Sequence, residues 1–275
     1  MDSSREQFRR QDAGPRDGRS AAQGRAARPV GAMPSAPPPL GDDVALFHDL
    51  DGSLLELAPR PDDVVVAPYL TGLLESLRSR FGGALAIVTG RQLQALDRLL
   101  HPLRLAGAGL HGAELRREGA IVETHSAPTD GLADALRRYF GDDPNILIED
   151  KGIAVAVHYR QAPERAAECE AVASALASAM GLSATRGKMV IEVLPPQVNK
   201  GQAVQELMAR PPFAGRRPVF VGDDLTDENG ILVAQAMGGY GVKVGTGPSA
   251  ARYRLGSVGA VHRWLAASAG LRDLA

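Results

Sequence analysis

Side chains that could do chemistry follow three short apolar runs of the sequence. Asp49 and Asp51 end the run in LFHDLDGSLLEL (46–57), Thr89 and Arg91 follow ALAIV, and Asp223 and Asp224 follow PVFVG. Paired carboxylates beside a buried run repel each other and lose solvation, so something must offset their charge. A solvated Asp-Gly turn also explains the first pair, because both residues tolerate tight backbone geometry. The other segments must distinguish an active site from such a turn.

Lys200 has an unusual position. It follows Asn199 in NKGQAVQELMAR, whose apolar spacing predicts a helix, so the lysine falls in the first turn. The partial positive charge of a helix N-terminus disfavours a cation there by roughly 0.3 to 1 kcal/mol. A solvent-exposed lysine would tolerate that cost. Alternatively, an anion between the ammonium and the helix terminus binds both, and a phosphate suits such a site.

The aspartates indicate a divalent cation. A carboxylate about 3.3 Å from a phosphate monoester is repelled by about 5 kcal/mol per pair of unit charges at an effective dielectric near 20. A cation shared with the phosphate, and a lysine on its other side, would reverse the local field. No cluster of Cys or His accompanies the aspartates, so the oxygen ligands favour Mg²⁺ over zinc.

The composition narrows the class of ligand. The chain has 275 residues and a formal net charge of -1, which leaves no overall positive charge for nucleic acid or an anionic membrane. No apolar run approaches the roughly 20 residues that a membrane helix needs. The single cysteine, Cys169, excludes an internal disulfide framework and a multi-thiolate zinc site. We therefore expect a cytoplasmic monomer that binds a small molecule.

Apolar runs that alternate with helical patterns predict an α/β fold with a mostly parallel sheet. VALFHD, ALAIVTG, PVFVGDD and GVKVG are typical of strands, whereas TGLLESLRSRFGG and RQLQALDRLL have the spacing of helices. Ligands bind beyond the carboxyl ends of parallel strands in such folds. The three segments that follow the strands are therefore expected to converge on one cleft. A dinucleotide-binding protein would need G-x-G-x-x-G where DLDGSL stands.

Hairpins dominate the middle of the chain. Strand-like AIVETH, NILIED, IAVAVHYR and MVIEVLP occur with two helical segments, which predicts an α+β module inserted into the sheet domain. The expected division is a disordered tail over 1–40, a first core part over 41–117, the inserted module over 118–198, and a second core part over 199–275. The tail is rich in Arg, Gly, Ala and Pro and lacks periodicity.

The order of DLDGS, VTGR, NKG and GDDLTDE resembles the haloacid dehalogenase (HAD) superfamily of aspartate-nucleophile phosphatases. More narrowly, GLHGAE, VAVHYR, GKMVIEVLP, NKGQAV and GDDLTDE resemble the trehalose-6-phosphate phosphatase family, over residues 44 to about 247. The resemblance implies a HAD-like Rossmannoid core and makes the inserted module a cap that closes over a sugar. Ser53 departs from the family's usual threonine but keeps the hydroxyl.

The resemblance also implies roles for individual residues. Asp49 would attack phosphorus to give an aspartyl phosphate, and Asp51 would protonate the leaving sugar oxygen and then activate water. Asp49 and Asp223 would bind Mg²⁺ through their carboxylates and Asp51 through its backbone carbonyl. Asp224 and Asp227 would orient these ligands.

For the substrate, the resemblance implies that Thr89 and Lys200 hold the phosphoryl group. Contacts to the sugar are expected from Arg91, His111, Glu114, Lys188 and Glu192. Lys188 and Glu192 could instead form a cross-strand charge pair on a hairpin, and His111 could be a structural histidine.

Two rival functions remain open at this point. A phosphatase with the same chemistry could act on another phosphorylated disaccharide or glycoside, such as sucrose 6-phosphate or mannosyl-3-phosphoglycerate. A non-catalytic sugar-phosphate sensor could keep the pocket without turnover. Such a sensor is free to lose the nucleophile, the acid or the metal ligand, and none of these is missing here.

Overall fold

The computed structural model describes residues 35–60, 63–117, 120–123 and 129–271 of the chain. The strands are β1 Val44–His48, β2 Leu85–Val88, β3 Ala106–Gly109, β4 Glu114–Arg117, β5 Ala120–Glu123, β6 Leu147–Asp150, β7 Val155–His158, β8 Ser183–Gly187, β9 Val190–Leu194, β10 Arg217–Gly222, β11 Tyr240–Val244 and β12 Tyr253–Leu255. The α-helices are α1 Leu70–Arg80, α2 Leu93–Leu99, α3 Leu132–Phe140, α4 Ala166–Ala179, α5 Lys200–Met208, α6 Asp227–Ala236 and α7 Val258–Ser268.

Eight strands form the larger sheet, in the order β12-β11-β10-β1-β2-β3-β4-β5. The six strands from β12 to β3 run parallel, and β4 and β5 extend the sheet in antiparallel fashion. The expected fold class, a mostly parallel α/β sheet with an inserted α+β module, is confirmed.

The centre of this sheet follows directly from the apolar runs. All of β1 and β2 is buried, as is β10 after its first residue, which is the pattern of parallel strands covered on both faces. Helix α6 lies close to β10, because a Cβ at Gly230 would be 2.3 Å from the Phe220 ring. The strands that lead to the site are therefore held by a buried apolar core.

The second sheet has four antiparallel strands in the order β6-β7-β9-β8. With α3 and α4 it encloses a separate apolar core that includes Leu136, Val157 and Cys169. We call this unit, residues 129–194, the cap. The expected division placed 120–123 in the cap, but β5 pairs with β4 and belongs to the larger sheet. Residues 118–119 and 124–128 lie outside the described part of the chain.

The expected tail ends earlier than residue 40. Residues 1–34 lie outside the described ranges, but 35–40 pack against α7. Leu40 is buried and donates its N–H to Ser268 Oγ at 3.1 Å, and the Trp264 indole N–H donates to the Pro38 carbonyl at 2.8 Å. Among the helices described, none has the length and apolar character needed to cross a membrane.

Candidate active site

The larger sheet brings the three polar strand ends together. Strand β1 lies between β2 and β10, with His48 opposite Ile87 on one side and Val221 on the other. Asp49, Thr89 and Asp223 therefore follow adjacent parallel strands at one edge of the sheet. Carboxylate oxygens of Asp49, Asp223 and Asp227 all lie within 4.8 Å of one another. The expected convergence on one cleft is observed.

A glycine allows the segments that follow β1 and β10 to approach closely. Gly52 has a φ of +87°, and a Cβ at this position would lie 2.3 Å from Asp223 Oδ2. Any larger residue would therefore be strained and would displace the carboxylate. The Asp-Gly pair is a turn, as the simpler interpretation held, but the turn fits against the acidic cluster.

Lys200 is buried rather than exposed, with 3% of its surface accessible. Asn199 caps α5 by accepting the Gln202 N–H at 3.0 Å, which places the lysine at the first helical position. Its ammonium donates to Asp49 Oδ1 at 2.6 Å and Asp227 Oδ1 at 2.7 Å. Burial opposes its charge, but these two carboxylates hold its pKa above the usual value. The lysine is therefore a fixed cation inside the cluster.

Asp227 organises the loop that carries Asp223 and Asp224. Its Oδ2 accepts the backbone N–H of both residues at 2.9 Å, while Oδ1 accepts Lys200. It is completely buried. Because both oxygens are already occupied by donors, this carboxylate is better suited to orienting the cluster than to binding a metal.

Two carboxylates of the cluster have raised pKa values although lysines lie beside them. Asp49 and Asp227 are paired with the buried Lys200, and Asp223 is paired with the half-exposed Lys188. Burial, and then the charge of Asp227, raise the pKa of Asp49 well above its usual range. The same two causes raise the pKa of Asp223 from 3.8 to about 6. Additional positive charge would therefore stabilise the ionised cluster.

The donor set fits a hard divalent cation. Asp223 Oδ1 is buried and has no hydrogen-bond partner within the described residues. The candidate ligands are carboxylate oxygens, without a thiolate or imidazole in the cluster. Asp51 contributes no carboxylate oxygen to this cluster, because its side chain is paired with Arg91. Its backbone carbonyl is the group that the resemblance assigned to the metal.

Two hydroxyl groups lie beside the acidic cluster. Thr89, which is 1% exposed, accepts the Arg91 backbone N–H at 3.1 Å, so its position is fixed by the turn after β2. Ser53 donates its hydroxyl to Asp49 Oδ2 at 3.1 Å. The hydroxyl that Ser53 shares with the usual threonine thus orients the carboxylate expected to be the nucleophile.

The cap reaches the cleft through Glu192 on β9. Its Oε1 accepts the Lys151 ammonium at 2.8 Å, and its Oε2 is paired with His111 Nε2 of the core. Burial would raise the pKa of Glu192, but the charges of His111 and Lys151 hold it well below its usual value. Lys151 also donates to the Gly90 carbonyl at 3.0 Å, which joins the cap to the loop after β2.

Lys188 and Glu192 do not form the alternative charge pair. Lys188 lies at the tip of the β8–β9 hairpin, and its ammonium donates to Asp223 Oδ2 at 3.1 Å. Its backbone N–H donates to Asp224 Oδ2 at 2.6 Å. Asp224, expected to orient the metal ligands, instead anchors the tip of the cap hairpin.

Glu114 contacts the start of α2. Its Oε2 accepts the Leu93 backbone N–H at 2.7 Å and so satisfies the first turn of this helix. Glu114 is 9% exposed. A Cβ at Gly109 would lie 2.5 Å from Glu114 Oε2, which shows how closely the carboxylate is enclosed. This contact fixes one carboxylate oxygen of Glu114 against α2.

Two lysines of the site were not predicted from the sequence. Lys151 follows a strand in a tight turn, where a lysine is ordinary and gives no signal. Lys243 lies inside the buried strand β11 and donates to the Asp223 backbone carbonyl. A lysine within an otherwise apolar strand is unusual, so the GVKVG run did contain a signal for the second residue.

The core and cap residues line one cleft of about 210 Å³. Asp49, Asp51, Thr89 and Lys200 form its core side, and Lys188 and Glu192 form its cap side. Carboxylates, a buried ammonium and polar side chains of the cap therefore face a common space.

Known proteins resemble this chain in sequence. The family model described as trehalose-phosphatase matches residues 47–258. A trehalose-6-phosphate phosphatase from Escherichia coli strain K12 is 40% identical over 232 residues, covering 83% of this chain and 87% of the relative. A probable trehalose-phosphate phosphatase from Sinorhizobium fredii is 42% identical over 221 residues, covering 79% and 83%.

Solved structures agree with the sequence relatives. A trehalose-6-phosphate phosphatase related protein is 25% identical, with a TM-score of 0.69 over 82% of this chain and 97% of that protein. The C-terminal domain of a Candida albicans trehalose-6-phosphate phosphatase shares the fold, with a TM-score of 0.78, 22% identity, and coverage of 88% and 100%. The chain therefore belongs to the trehalose-phosphatase family of phosphoric monoester hydrolases.

Proposed function

We propose that this enzyme hydrolyses trehalose 6-phosphate to trehalose and inorganic phosphate, the last step of trehalose biosynthesis. The observation that carries the proposal is the buried Lys200 ammonium between Asp49 and Asp227, in a cleft closed by polar cap residues. The names of the sequence relatives support the choice of sugar.

In this proposal Asp49 is the nucleophile. One of its oxygens forms a bond to phosphorus as the bond from phosphorus to the sugar oxygen breaks, which leaves an aspartyl phosphate. Lys200 at 2.6 Å reduces the repulsion between the carboxylate and the ester, and the Ser53 hydroxyl holds the second oxygen. Thr89 and Lys200 hold the phosphoryl oxygens during transfer.

Asp51 acts as the general acid in the first half-reaction and as the general base in the second. It gives a proton to the leaving sugar oxygen in the first step. In the second step it takes a proton from the water that attacks phosphorus, and the bond from Asp49 to phosphorus breaks. Asp51 is thereby returned to its protonated form, so protons balance over one turnover.

We propose that Mg²⁺ is held by the carboxylates of Asp49 and Asp223, with the Asp51 backbone carbonyl. A bound Mg²⁺ would polarise a phosphoryl oxygen and neutralise developing charge. The unpartnered Oδ1 of Asp223 and the raised pKa of this carboxyl support this assignment. Asp227 keeps the loop of Asp223 in place.

Sugar recognition is proposed for the cap face of the cleft. Glu192 and Lys188 offer an acceptor and a donor to hydroxyl groups, and His111 and Lys151 hold Glu192 in its ionised form. An ionised acceptor that is already oriented loses little conformational entropy when a hydroxyl binds. Arg91 is paired with Asp51 and is not included among the sugar contacts.

The function is tested by phosphate release from trehalose 6-phosphate, with Mg²⁺ and after treatment with EDTA. We expect turnover only with Mg²⁺, and a kcat/KM at least tenfold above those for sucrose 6-phosphate and mannosyl-3-phosphoglycerate. A higher kcat/KM for sucrose 6-phosphate or mannosyl-3-phosphoglycerate would refute the substrate assignment. Binding of the ester without phosphate release would favour a sensor, and recovery with zinc but not Mg²⁺ would contradict the metal.

Mg²⁺ affinity should depend on pH. The raised pKa of Asp223, about 6, means that a proton competes with the metal for this carboxylate below pH 6. We expect the dissociation constant, measured by calorimetry, to rise by up to about tenfold per pH unit below 6 and to change little above pH 7. An affinity that is equal at pH 5 and pH 8 would argue against Asp223 as a ligand.

We also propose a cytoplasmic monomer. The only cysteine, Cys169, is buried in the cap core, so the described fold offers no thiol at its surface for a cross-link. Sedimentation at several protein concentrations would reveal self-association.

A further inference from the structure

Arg91 forms a two-point contact with Asp51. Its Nε donates to Asp51 Oδ2 at 2.7 Å and its terminal nitrogen donates to Asp51 Oδ1 at 2.8 Å. Both side chains are largely shielded, with 15% of the arginine side chain and 27% of the aspartate side chain exposed. A guanidinium that binds both oxygens fixes the plane of the carboxylate as well as its distance.

The backbone on each side of this contact is also held. The carbonyl of Arg91 accepts the Leu110 N–H at 3.0 Å, and its N–H donates to Thr89 Oγ1 at 3.1 Å. On the other side, the Gly52 N–H donates to the Leu55 carbonyl at 2.7 Å, which closes the turn that carries Asp51. This two-point contact of Arg91, which we call the fork, therefore joins two anchored loops. Its two residues are 40 positions apart in the sequence.

We propose that Arg91 is the positioning residue of the acid–base step: it orients the Asp51 carboxylate toward the leaving oxygen and acts on the substrate through Asp51. This inference rests on the proposed function, in which Asp51 transfers the protons. In the acid form, one oxygen carries the proton and the other still accepts from the guanidinium, so the planar group that held both oxygens of the carboxylate continues to set the direction of delivery. A misplacement of about 1 Å can cost on the order of a hundredfold in rate.

Orientation of a general acid matters most for a poor leaving group. A nitrophenolate leaves readily without a proton, whereas a phenolate or a sugar alkoxide needs one. Loss of Arg91 should therefore slow the ester with the poorer leaving group more strongly. Aryl phosphates provide this comparison without a sugar, so a direct contact between Arg91 and sugar hydroxyls cannot contribute to the result.

The test compares phenyl phosphate and p-nitrophenyl phosphate for the wild type, Arg91→Met, Asp51→Asn and the double variant, with kcat and KM measured separately. We expect Arg91→Met to lower kcat about 30- to 100-fold on phenyl phosphate and less than about threefold on p-nitrophenyl phosphate. In the Asp51→Asn background, Arg91→Met should cause no further loss, because both changes remove one function.

Arg91→Lys tests the fork itself. A lysine keeps the positive charge but makes a single-point contact, so we expect an intermediate loss of kcat on phenyl phosphate. Arg78→Met is the matched control, since Arg78 pairs with Glu75 on the exposed face of α1, and its activity should equal that of the wild type. Thermal unfolding of each variant monitors the fold.

Two groups of outcomes are distinguished. The positioning role would be overturned if Arg91→Met lowered kcat equally on both aryl esters, or if it left kcat at the wild-type value. It would also be overturned if Arg91→Met lowered kcat further in the Asp51→Asn background. The proposed function would instead be contradicted if Asp51→Asn were as active as the wild type on phenyl phosphate. It would also be contradicted if the wild type hydrolysed neither the aryl esters nor the sugar phosphate. If Arg91→Met fails to fold, the Arg91→Lys comparison decides.

Discussion

Asp49→Asn should abolish phosphate release from trehalose 6-phosphate, with a loss in kcat of at least about a thousandfold, or roughly 4 kcal/mol of activation free energy. The amide oxygen lacks the charge and the nucleophilicity of the carboxylate that attacks phosphorus. Steady-state phosphate release at saturating Mg²⁺ measures the loss.

The same variant should keep its fold. Burial and the charge of Asp227 already raise the pKa of Asp49 well above its usual range, so a neutral side chain removes a repulsion. The Lys200 ammonium retains Asp227 at 2.7 Å. We expect a melting temperature, without metal, equal to or above that of the wild type. Activity within tenfold of the wild type would defeat the nucleophile assignment.

Asp43→Asn is the matched control for this substitution. Asp43 immediately precedes β1, so it lies near the opposite end of the strand that carries Asp49, and it is exposed beside Arg217 at 3.4 Å. The same chemical change there should alter neither kcat nor the melting temperature measurably. A parallel loss of activity in both variants would indicate a general effect on the strand.

Lys200→Met should cost both activity and stability. The variant leaves Asp49 and Asp227 buried without their shared cation, and removal of one partner from a buried ion pair typically costs about 3–5 kcal/mol. Loss of a cation that stabilises the transferring phosphoryl group should lower kcat about 100- to 1,000-fold. Urea unfolding without metal measures the first effect, and phosphate release measures the second.

A comparison with Lys188→Met distinguishes the effect of losing a buried ion pair from the effect of losing an exposed one. The Lys188 side chain is 52% exposed and contacts Asp223 at 3.1 Å, so its ion pair should contribute less than about 1 kcal/mol to stability. Mg²⁺ should restore part of the stability lost in Lys200→Met, because it supplies positive charge to the same cluster. If the two lysine variants unfold at the same urea concentration, the buried network is not the stabilising feature we describe.

The helices and strands with the strongest local sequence patterns were the ones that could be predicted from the sequence. Strands β1, β2 and β10 are continuous apolar runs, and α5 has a clear cap at Asn199, so each was predictable from a few residues. Strand β3 has the sequence AGAG, which carries little strand propensity, and it pairs with β2 on one side and β4 on the other. Helix α6 was not predicted, because its acidic first turn also continues a loop motif.

Partners of charged side chains were the least predictable part of the site. Glu114 satisfies a helix start 21 residues earlier in the chain, and Arg91 binds Asp51 at the edge of the cleft. Lys151 joins Gly90 of the core to Glu192 of the cap. Such pairings depend on side-chain rotamers and on distances between remote segments, and neither has a local signature in the sequence.

The sequence by itself determined which residues end the central strands, because parallel strands meet at one edge and local hydrophobicity defines them. It thereby determined that Asp49, Thr89 and Asp223 share a cleft, whereas the place of Lys200 beside them was implied by the resemblance. Only the tertiary structure decided which charges neutralise one another, and that the cap hairpin reaches Asp223 and Asp224. The physical reason is that hydrophobic burial is a property of a segment, whereas an ion pair requires two segments to be positioned within about 3 Å.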